Sequence, residues 1–243
     1  MCYATTLTKT KKRIEEVIDR TFEVPLEYQP YYHLNGFSHG NLQIIKMDEP
    51  EKIYPSMWCL VPSYGMNDIP EFQKKYNTLN ARSESIFKSN TFKSSALEKR
   101  CLILADGFFE PHHENGNSTP YFCYQPSDEN DDDGRKLFLF AGLYTELEKD
   151  NDSYSCTILT TDANDFFAEV HNKKKRMPLV LDSDLYDDWL STTHNEKTLN
   201  DLIKNGFTGT DFDAYPVSNM IYKKGVNSNI AEAIQPIEKN TLF

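Results

Sequence analysis

The sequence predicts an α+β fold with a mostly antiparallel, barrel-like β core and peripheral helices. Three observations favour this class: many apolar stretches have the length of strands, turn-forming residues separate them, and helical periodicity is confined to a few short segments. The chain has 243 residues, of which 39% are hydrophobic and 13% aromatic. This composition is sufficient for a core without disulfides, and no linker or repeat divides the chain. We therefore expect a single domain over residues 1–243.

The amino-terminal part is predicted to be a strand followed by a helix. Residues 2–7 form the expected strand. Thr8 or Thr10 is expected to cap the helix, because a side-chain oxygen can accept from the free amide groups of the first turn. Three- and four-residue spacings place the apolar residues of this helix on one face. These residues are Ile14, Val17, Ile18 and Phe22.

In the middle of the chain, apolar stretches predict strands at 41–47 and 56–61, with a turn at about 49–50 between them. Proline and glycine interrupt residues 62–79, which we predict to be an irregular connection. A segment compatible with a helix follows at 94–99.

The second half of the chain is predicted to be richer in strands. Residues 101–105 and 107–109 are expected strands, and residues 114–117 predict the turn of a hairpin that returns through Tyr121. Further strands are expected at 137–144 and 154–161, and helices at about 163–170, 183–190 and 196–204.

The chain is acidic, with 26 basic and 37 acidic side chains and a net charge of −11. Residues 128–133 contribute five acids and no apolar residue, so we expect an acidic surface insertion at about 126–135. The longest apolar run, 137–144, is far shorter than the roughly 20 residues that span a bilayer. The amino-terminal region has no apolar segment typical of a secretory signal. These features predict a cytoplasmic protein without membrane association.

The five cysteines are odd in number and include no Cys-x-x-Cys pair, which argues against a disulfide framework or a zinc site. Cys101, Cys123 and Cys156 lie in apolar stretches and are expected to be buried. Cys2 differs, because removal of Met1 would leave a thiol and an α-amine on adjacent carbons. Such an aminothiol can condense with an aldehyde, first through nitrogen and then through sulfur, to form a five-membered thiazolidine. Alternatively, the thiolate acts alone in acyl transfer if a base lies nearby.

Four separated polar segments interrupt the apolar strand pattern, at residues 1–2, 80–84, 105–110 and 171–178. Taken singly, each has an ordinary explanation as solvated or capping side chains. Taken together and in this order, they resemble the SOS-response-associated peptidase (SRAP) family, whose members crosslink covalently to abasic sites in single-stranded DNA. The resemblance extends over nearly the whole chain. Its further matches are at residues 58–62, 100–105, 120–122, 140–143, 157–161, 163–164, 215–218 and 226–228.

The resemblance implies a chemical role for four residues. Cys2, once Met1 is removed, corresponds to the nucleophile that condenses with the ring-opened deoxyribose aldehyde. Asn80 corresponds to the amide that positions the cysteine or the sugar. Glu110 corresponds to the carboxylate that moves protons during imine formation and self-removal of Met1, and His171 to the imidazole that assists ring opening. The resemblance thus implies an autoprocessing SRAP-type cysteine peptidase with lyase-like crosslinking activity in the DNA damage (SOS) response.

DNA contacts are expected from basic and aromatic side chains near these segments. Arg82 is suited to bind a phosphate through bidentate hydrogen bonds, and Trp58 can stack on a base if it is exposed. The other expected DNA-binding residues are Lys173, Lys174, Lys175 and Arg176, and those expected to support the site are Glu84, Asn227 and Ser228. No cofactor or metal is expected. The expected partner is single-stranded DNA with abasic sites, bound by a monomer that associates with the nucleoid when on DNA.

The chain departs from the family pattern beside the candidate nucleophile and the candidate carboxylate. Tyr3 and Ala4 replace the usual Gly and Arg, and Pro111 follows Glu110 where an aromatic residue is usual. The segment that begins at His171 is two residues longer than the usual His-x-Arg-Met-Pro spacing. Three functions therefore remain open at this point: an abasic-site crosslinker, a module that binds single-stranded nucleic acid without chemistry, and an N-terminal-nucleophile thiol peptidase.

Overall fold

The computed structural model describes residues 2–127, 133–148, 153–205 and 212–237. Residues 128–132, which make up most of the expected acidic insertion, lie outside the described residues. On the flanks of that segment, Pro126 and Arg135 form an antiparallel bridge.

Short strands dominate the chain, and a few short helices lie between them. The strands are β1 (Ala4–Leu7), β2 (Thr21–Phe22), β3 (Tyr31–Asn35), β4 (Asn41–Lys46), β5 (Glu49–Trp58), β6 (Asn80–Arg82), β7 (Arg100–Ala105), β8 (Gly107–Glu114), β9 (Asn117–Tyr124), β10 (Phe138–Glu148), β11 (Ser153–Asp162), β12 (Arg176–Pro178), β13 (Val180–Leu181) and β14 (Asp213–Pro216). The helices are α1 (Lys11–Ile18), α2 (Ile69–Lys75), α3 (Lys93–Glu98), α4 (Asp165–Val170), α5 (Tyr186–Leu190) and α6 (Glu196–Asn205). This arrangement confirms the predicted α+β class.

The strands form two sheets that share a core. The larger sheet has the order β12-β11-β10-β7-β4-β5-β2, and β5 also pairs with β11, so the strands from β11 round to β5 close into the barrel-like core. The smaller sheet has the order β14-β9-β8-β1-β3. Phe108 of β8 joins the two sheets, because its ring centroid lies 5.7 Å from that of Phe140 on β10. Both side chains are fully buried.

Helices α1, α3, α5 and α6 pack against one face of the larger sheet, whereas α2 and α4 contribute Phe72 and Phe167 to the core that the two sheets share. Trp189 of α5 and Leu199 of α6 are fully buried against that face of the larger sheet. The cysteines are all free and buried, as expected for Cys101, Cys123 and Cys156. None of the helices in the described parts of the chain has the length and apolar character that a membrane crossing requires.

Two features of the smaller sheet position the polar segments. The hairpin predicted at 114–117 is confirmed: Asn115 and Gly116 both have positive φ (49° and 81°), as a two-residue type I′ turn requires. In this hairpin Glu110 pairs with Tyr121, near the middle of the β8-β9 ladder.

Strand β1 lies between β3 and β8, so the start of the chain is next to the strand that carries Glu110. Buried Asp106, in the turn between β7 and β8, fixes the far end of β1. Its carboxylate accepts hydrogen bonds from Thr6 Oγ1 (2.5 Å) and from the Thr8 amide (2.6 Å). Cys2 directly precedes β1 at its other end.

Two predicted connections were wrong in detail. The segment 62–79, predicted to be irregular, contains α2, whose first turn includes Pro70. Proline is tolerated there because the amide it lacks would have no partner within the helix. The turn expected at about 49–50 lies at residues 47–48, and β5 begins at Glu49.

The prediction for the first helix was partly right. Thr10 caps α1 by accepting from the Arg13 amide at 3.3 Å, and Ile14 is buried. Phe22 lies on β2 instead, and Val17 is 47% exposed. The helix ends at Ile18, before Phe22, and Val17 lies within it on an exposed face.

Candidate active site

Cys2 lies at the entrance of β1 and is fully buried. Its Sγ donates a weak hydrogen bond to the Ala4 carbonyl oxygen at 3.5 Å. Burial raises the pKa of the Cys2 thiol well above its usual value, because the thiolate would lose its hydration, and the nearby Glu110 carboxylate raises it further. The sulfur is therefore a protonated thiol near neutral pH.

Asn80 holds the backbone of the candidate nucleophile. It begins β6, which runs parallel to β11 with Asn80 opposite Ile158. Its Nδ2 donates to the Cys2 carbonyl oxygen at 2.8 Å. Within the described residues, its buried Oδ1 has no hydrogen-bond partner, so it can accept one from a ligand.

Glu110 and His171 form a buried acid-base pair. Glu110 Oε2 lies 3.1 Å from His171 Nδ1, and these two side chains are 0% and 1% exposed. Burial raises the pKa of Glu110 to about 7. Burial also lowers the pKa of His171 to about 4, because it penalises the imidazolium. Near neutral pH the imidazole is therefore uncharged, while the Glu110 carboxyl group is partly protonated.

The hydrogen bonds of His171 assign its tautomer. Nδ1 also lies 3.1 Å from the Arg176 carbonyl oxygen, which can only accept. Nδ1 therefore carries the proton, and Nε2 is the basic nitrogen.

The longer segment after His171 closes on itself and leaves this histidine in place. Lys175 adopts a positive φ of 47°, and its amide donates to the His171 carbonyl oxygen at 2.9 Å. The Asn172 side chain binds the backbone of His113 on β8 through both of its polar atoms: Oδ1 accepts from the amide at 3.0 Å, and Nδ2 donates to the carbonyl at 2.7 Å. The segment thus forms a tight turn that Asn172 anchors to the strand that carries Glu110.

A cleft of about 500 Å³ opens beside this cluster. Tyr3, which follows Cys2, lines it together with His171. Four lysines from two segments also line it, namely Lys173, Lys174, Lys223 and Lys224, and no Asp or Glu does so among the described residues. The cleft therefore favours an anionic ligand despite the net charge of −11.

The comparison with known families identifies the chain. The family model described as SOS response associated peptidase (SRAP) matches residues 1–224. The chain belongs to this family.

Relatives of this SRAP protein carry names that refer to the processing of abasic sites. The abasic site processing protein HMCES of Gallus gallus is 30% identical over 234 residues, covering 87% of this chain and 67% of the relative. The abasic site processing protein YoaM of Bacillus subtilis (strain 168) is 29% identical over 205 residues, covering 83% and 84%. A crystal structure of a Bacteroides thetaiotaomicron protein is 28% identical with a TM-score of 0.82, over 97% of this chain and 100% of that one.

The residues expected to bind DNA in the SRAP chain do not all lie at the cleft. Lys173 and Lys174 line it, whereas Lys175 is exposed without lining it. Arg82 is exposed outside the lining residues. Because side chains two apart on a strand point to the same side, Arg82 lies on the same face of β6 as Asn80.

Two expected DNA contacts were wrong. Trp58 is fully buried, and its Nε1 donates to the Leu79 carbonyl oxygen at 2.8 Å, so its ring cannot stack on a base. Arg176 is 6% exposed. Its guanidinium binds Glu84 Oε1 at 2.6 Å and Asp162 Oδ1 at 2.7 Å, so this charge is neutralised within the protein.

Two of the expected supporting residues, Asn227 and Ser228, lie beside β3, whereas Glu84 lies away from the cleft as the partner of Arg176. Ser228 Oγ lies 2.7 Å from Nδ1 of His33, a histidine that lines the cleft. Asn227 Oδ1 accepts from the Asn229 amide at 3.0 Å, and Asn229 Oδ1 accepts from the Tyr32 amide at 2.7 Å. This loop is thereby attached to the strand beside β1.

Several cleft residues were not predicted as site residues. Lys223 and Lys224 are the main examples: the sequence shows them as one of several local basic clusters, and the structure shows that this one lines the cleft. His113 and Tyr222 also line the cleft. In the described parts of the chain, no group of three or more His, Cys, Asp or Glu side chains is arranged to hold a metal.

Proposed function

We propose that this SRAP protein senses abasic sites in single-stranded DNA and links itself to them covalently through Cys2 after removal of Met1. The observation that carries this proposal is the placement of Cys2 beside Glu110, His171 and Asn80, next to a cleft lined by lysines. The names of the relatives, abasic site processing proteins, support the same substrate.

The proposed reaction joins an aldehyde and an aminothiol and releases one water. The α-amine of Cys2 attacks C1′ of the ring-opened deoxyribose, and the resulting carbinolamine loses water to give an imine. The thiol then adds across the C=N bond, so that a C–S bond forms and the thiol proton passes to nitrogen. The product is a thiazolidine.

The acid-base pair suits the proton transfers of this reaction. Ring opening removes a proton from the C1′ hydroxyl and adds one to the ring oxygen. Neutral His171 can accept the first proton at Nε2, and protonated Glu110 can supply the second. The imidazolium can return a proton to Glu110 through Nδ1, which lies 3.1 Å from Oε2. With a pKa of about 7, Glu110 can then donate this proton to the leaving hydroxyl group and take up the proton that the nitrogen loses as the imine forms. In the last step it gives a proton to the imine nitrogen and accepts the one from the thiol. A carboxyl group with the usual pKa would be ionised and unable to donate.

Self-processing is proposed for the same residues. Hydrolysis of the Met1–Cys2 peptide bond adds one water and releases methionine and the Cys2 α-amine. Glu110 would activate the water, and the Asn80 bond to the Cys2 carbonyl would hold the backbone in place. Intact mass is expected to show a chain that begins at Cys2, and a chain that retains Met1 for Glu110→Gln. Full crosslinking by protein that retains Met1 would contradict the aminothiol mechanism.

The decisive experiment mixes the mature protein with a single-stranded oligonucleotide that contains an abasic site. We expect a heat-stable band of lower mobility for the wild type and none for Cys2→Ala. Cys2→Ser is expected to give no stable adduct, because an oxygen analogue of the thiazolidine hydrolyses readily. Cys101→Ala, which removes another buried thiol, is the matched control and is expected to crosslink normally.

The other outcomes distinguish the alternatives. Reversible DNA binding without an adduct would favour a binding module that lacks chemistry. Turnover of peptides without any reaction with DNA would favour a thiol peptidase. A stable adduct of normal yield from Cys2→Ala would exclude Cys2 as the nucleophile.

A further inference from the structure

Phe37 is an unusual aromatic residue on the wall of the cleft. Its side chain is 58% exposed, although burial of a phenylalanine is normally favourable. It lines the same cleft as Lys173 and His171. An apolar ring exposed at this position costs free energy unless a ligand covers it.

The backbone that carries Phe37 is held rigidly. Residues Gly36–Ser38 form a single 3-10 turn after β3. Asn35 caps this turn, because its Oδ1 accepts from the Phe37 amide at 3.0 Å. Ser38 Oγ donates to the Asn35 carbonyl oxygen at 2.6 Å.

The turn is also attached directly to the residue that follows the nucleophile. The Gly36 amide donates to the Tyr3 carbonyl oxygen at 2.8 Å. Gly36 fits closely against the core, since a Cβ there would approach Leu79 to 3.1 Å and Trp58 to 3.3 Å. The position of Phe37 relative to Cys2 is therefore set by backbone contacts.

Tyr3, which also lines the cleft, packs against the Phe37 ring. The two ring centroids lie 5.0 Å apart, with the planes inclined at 37°, within the usual range for interacting aromatic rings. Tyr3 is half-buried and stands where the family usually has glycine. A glycine would leave the ring of Phe37 without this support.

We infer that Phe37, supported by Tyr3, is a stacking platform for the nucleobase next to the abasic nucleotide. This inference rests on the proposed function and adds a binding subsite to it. An abasic nucleotide has no base of its own to stack, so the neighbouring base is the aromatic group nearest to the reacting sugar. Aromatic side chains and a line of positive charge together are the recurrent means of binding single-stranded nucleic acid.

The charges of the cleft favour a nucleic acid over an apolar peptide as the occupant. Phe37 shares the cleft with four lysines, while no carboxylate lines it in the described residues. Each nucleotide of a strand has a flat base and a phosphate. The Phe37 ring can stack on the base, and the lysine ammonium groups can bind the phosphate. Stacking tolerates any base, so we expect little preference among the four.

The experiment uses an oligonucleotide with 2-aminopurine beside tetrahydrofuran, an abasic analogue without an aldehyde. Stacking quenches the fluorescence of 2-aminopurine, so wild-type protein is expected to lower it. In Phe37→Leu, which keeps an apolar side chain without a π face, we expect the quenching to disappear and Kd to rise by about 5- to 150-fold. Phe37→Trp is expected to restore both.

Leu26→Ala is the control, because Leu26 is 90% exposed and lies outside the cleft. It is expected to quench and bind as the wild type does. Wild-type protein that fails to quench, Phe37→Leu that binds and quenches normally, or an equal loss in Leu26→Ala would each overturn the inference.

Failure of the proposed function would look different. Because tetrahydrofuran cannot form an imine, the fluorescence measurement is independent of the crosslink. Quenching without any heat-stable product from a natural abasic site would preserve the stacking platform and refute the crosslinking function.

Discussion

Two clusters of buried ionisable groups lie on different parts of the protein, and burial has opposite consequences in them. One is the Glu110–His171 pair beside Cys2. The other surrounds Lys46 at the end of β4, where the lysine is 3% exposed. Each removes a titratable group from water, yet only the first contains a group, Glu110, whose pKa lies near neutral pH.

At the Lys46 cluster, the partners compensate for burial. Lys46 Nζ lies 4.1 Å and 4.3 Å from the ring centroids of Tyr54 and Tyr154. It donates to the Tyr154 hydroxyl at 2.9 Å and lies 3.1 Å from Glu49 Oε2. Burial alone would lower the pKa of Lys46, but these hydrogen bonds and the Asp48 charge raise it instead. The ammonium group stays charged and serves stability.

At the Glu110–His171 pair, burial dominates. The imidazole is neutral, so it does not offset the desolvation of the Glu110 carboxylate as a cation would. The pKa of Glu110 rises to about 7, and that of His171 falls to about 4. A buried group whose charge is stabilised by hydrogen bonds and opposite charges, such as Lys46, stays charged and serves stability. A buried group with less such stabilisation, such as Glu110, has a pKa near neutral pH and can transfer protons.

The largest expected effect is that of Glu110→Gln on crosslinking. Removal of a positioned acid-base group typically lowers a rate by about 100- to 10,000-fold. We expect a decrease in this range when both wild type and variant are prepared with Cys2 released as the first residue by an added protease, because a retained Met1 would by itself block the reaction of the variant. The measurement is the rate of adduct formation at saturating abasic DNA. A rate within a factor of two of the wild type would show that Glu110 moves no proton in the limiting step.

The same variant is expected to be more stable than the wild type at alkaline pH. The pKa of Glu110 is about 7 in the folded protein against an ordinary value of 4.5. Folded protein then binds more protons than unfolded protein between these values, so this carboxyl lowers stability as pH rises from about 4.5 to 7. At pH 8 the cost is on the order of 3 kcal/mol, and Glu110→Gln removes it.

Urea denaturation at pH 8 and pH 5 measures this difference. The advantage of the variant should largely disappear at pH 5, where Glu110 is protonated. The pKa of His171 is lowered from 6.5 to about 4, so its contribution runs the other way and raises stability with pH between those values. His171 is present in both proteins and largely cancels. An advantage of equal size at both pH values would contradict the raised pKa of Glu110.

The second prediction concerns the Lys46 cluster, where we expect a substitution to lower stability and leave crosslinking unchanged. Lys46→Met is expected to lower the free energy of unfolding by about 1–3 kcal/mol, because it removes the charged hydrogen bonds to Tyr154 and Glu49. The cost stays moderate, since the Glu49 side chain is 47% exposed and can regain hydration. Crosslinking by the folded protein should be unchanged. A large decrease in rate with normal stability would show that the two clusters are coupled.

The third and smallest effect concerns the lysines of the cleft. We expect the double variant Lys173→Glu with Lys174→Glu to weaken binding of single-stranded DNA by about tenfold at low salt. The slope of log affinity against log salt should decrease by about 0.7 for each phosphate that the variant no longer neutralises. Fluorescence anisotropy at several salt concentrations measures both quantities.

The matched control carries the same change of net charge on α1. Lys11→Glu with Lys12→Glu alters two exposed lysines that lie outside the cleft. We expect a much smaller change in affinity and slope. An equal decrease in affinity in both double variants would mean that net charge, rather than the cleft, governs DNA binding.

The sequence by itself determined the fold class, the hairpin at Asn115 and Gly116 and the family, and it narrowed the cap of α1 to Thr8 or Thr10. Turns and caps depend on a few neighbouring residues, so a pair that favours positive φ is enough to predict a turn. The family is recognised from the order of polar segments along the chain, which does not depend on where their side chains point. Helix α2 was missed because Pro70 was interpreted as an interruption, although proline fits the first turn of a helix.

Only the tertiary structure decided which side chains face the cleft. Arg176 follows three exposed lysines in the sequence, yet its guanidinium is held by Glu84 of a distant segment. Trp58 is enclosed by the core, whereas Phe37 is exposed on a turn that its contact with Tyr3 holds in place. The physical reason is that burial and pairing depend on residues far apart in the chain, which come together only when β1, β6 and β8 meet.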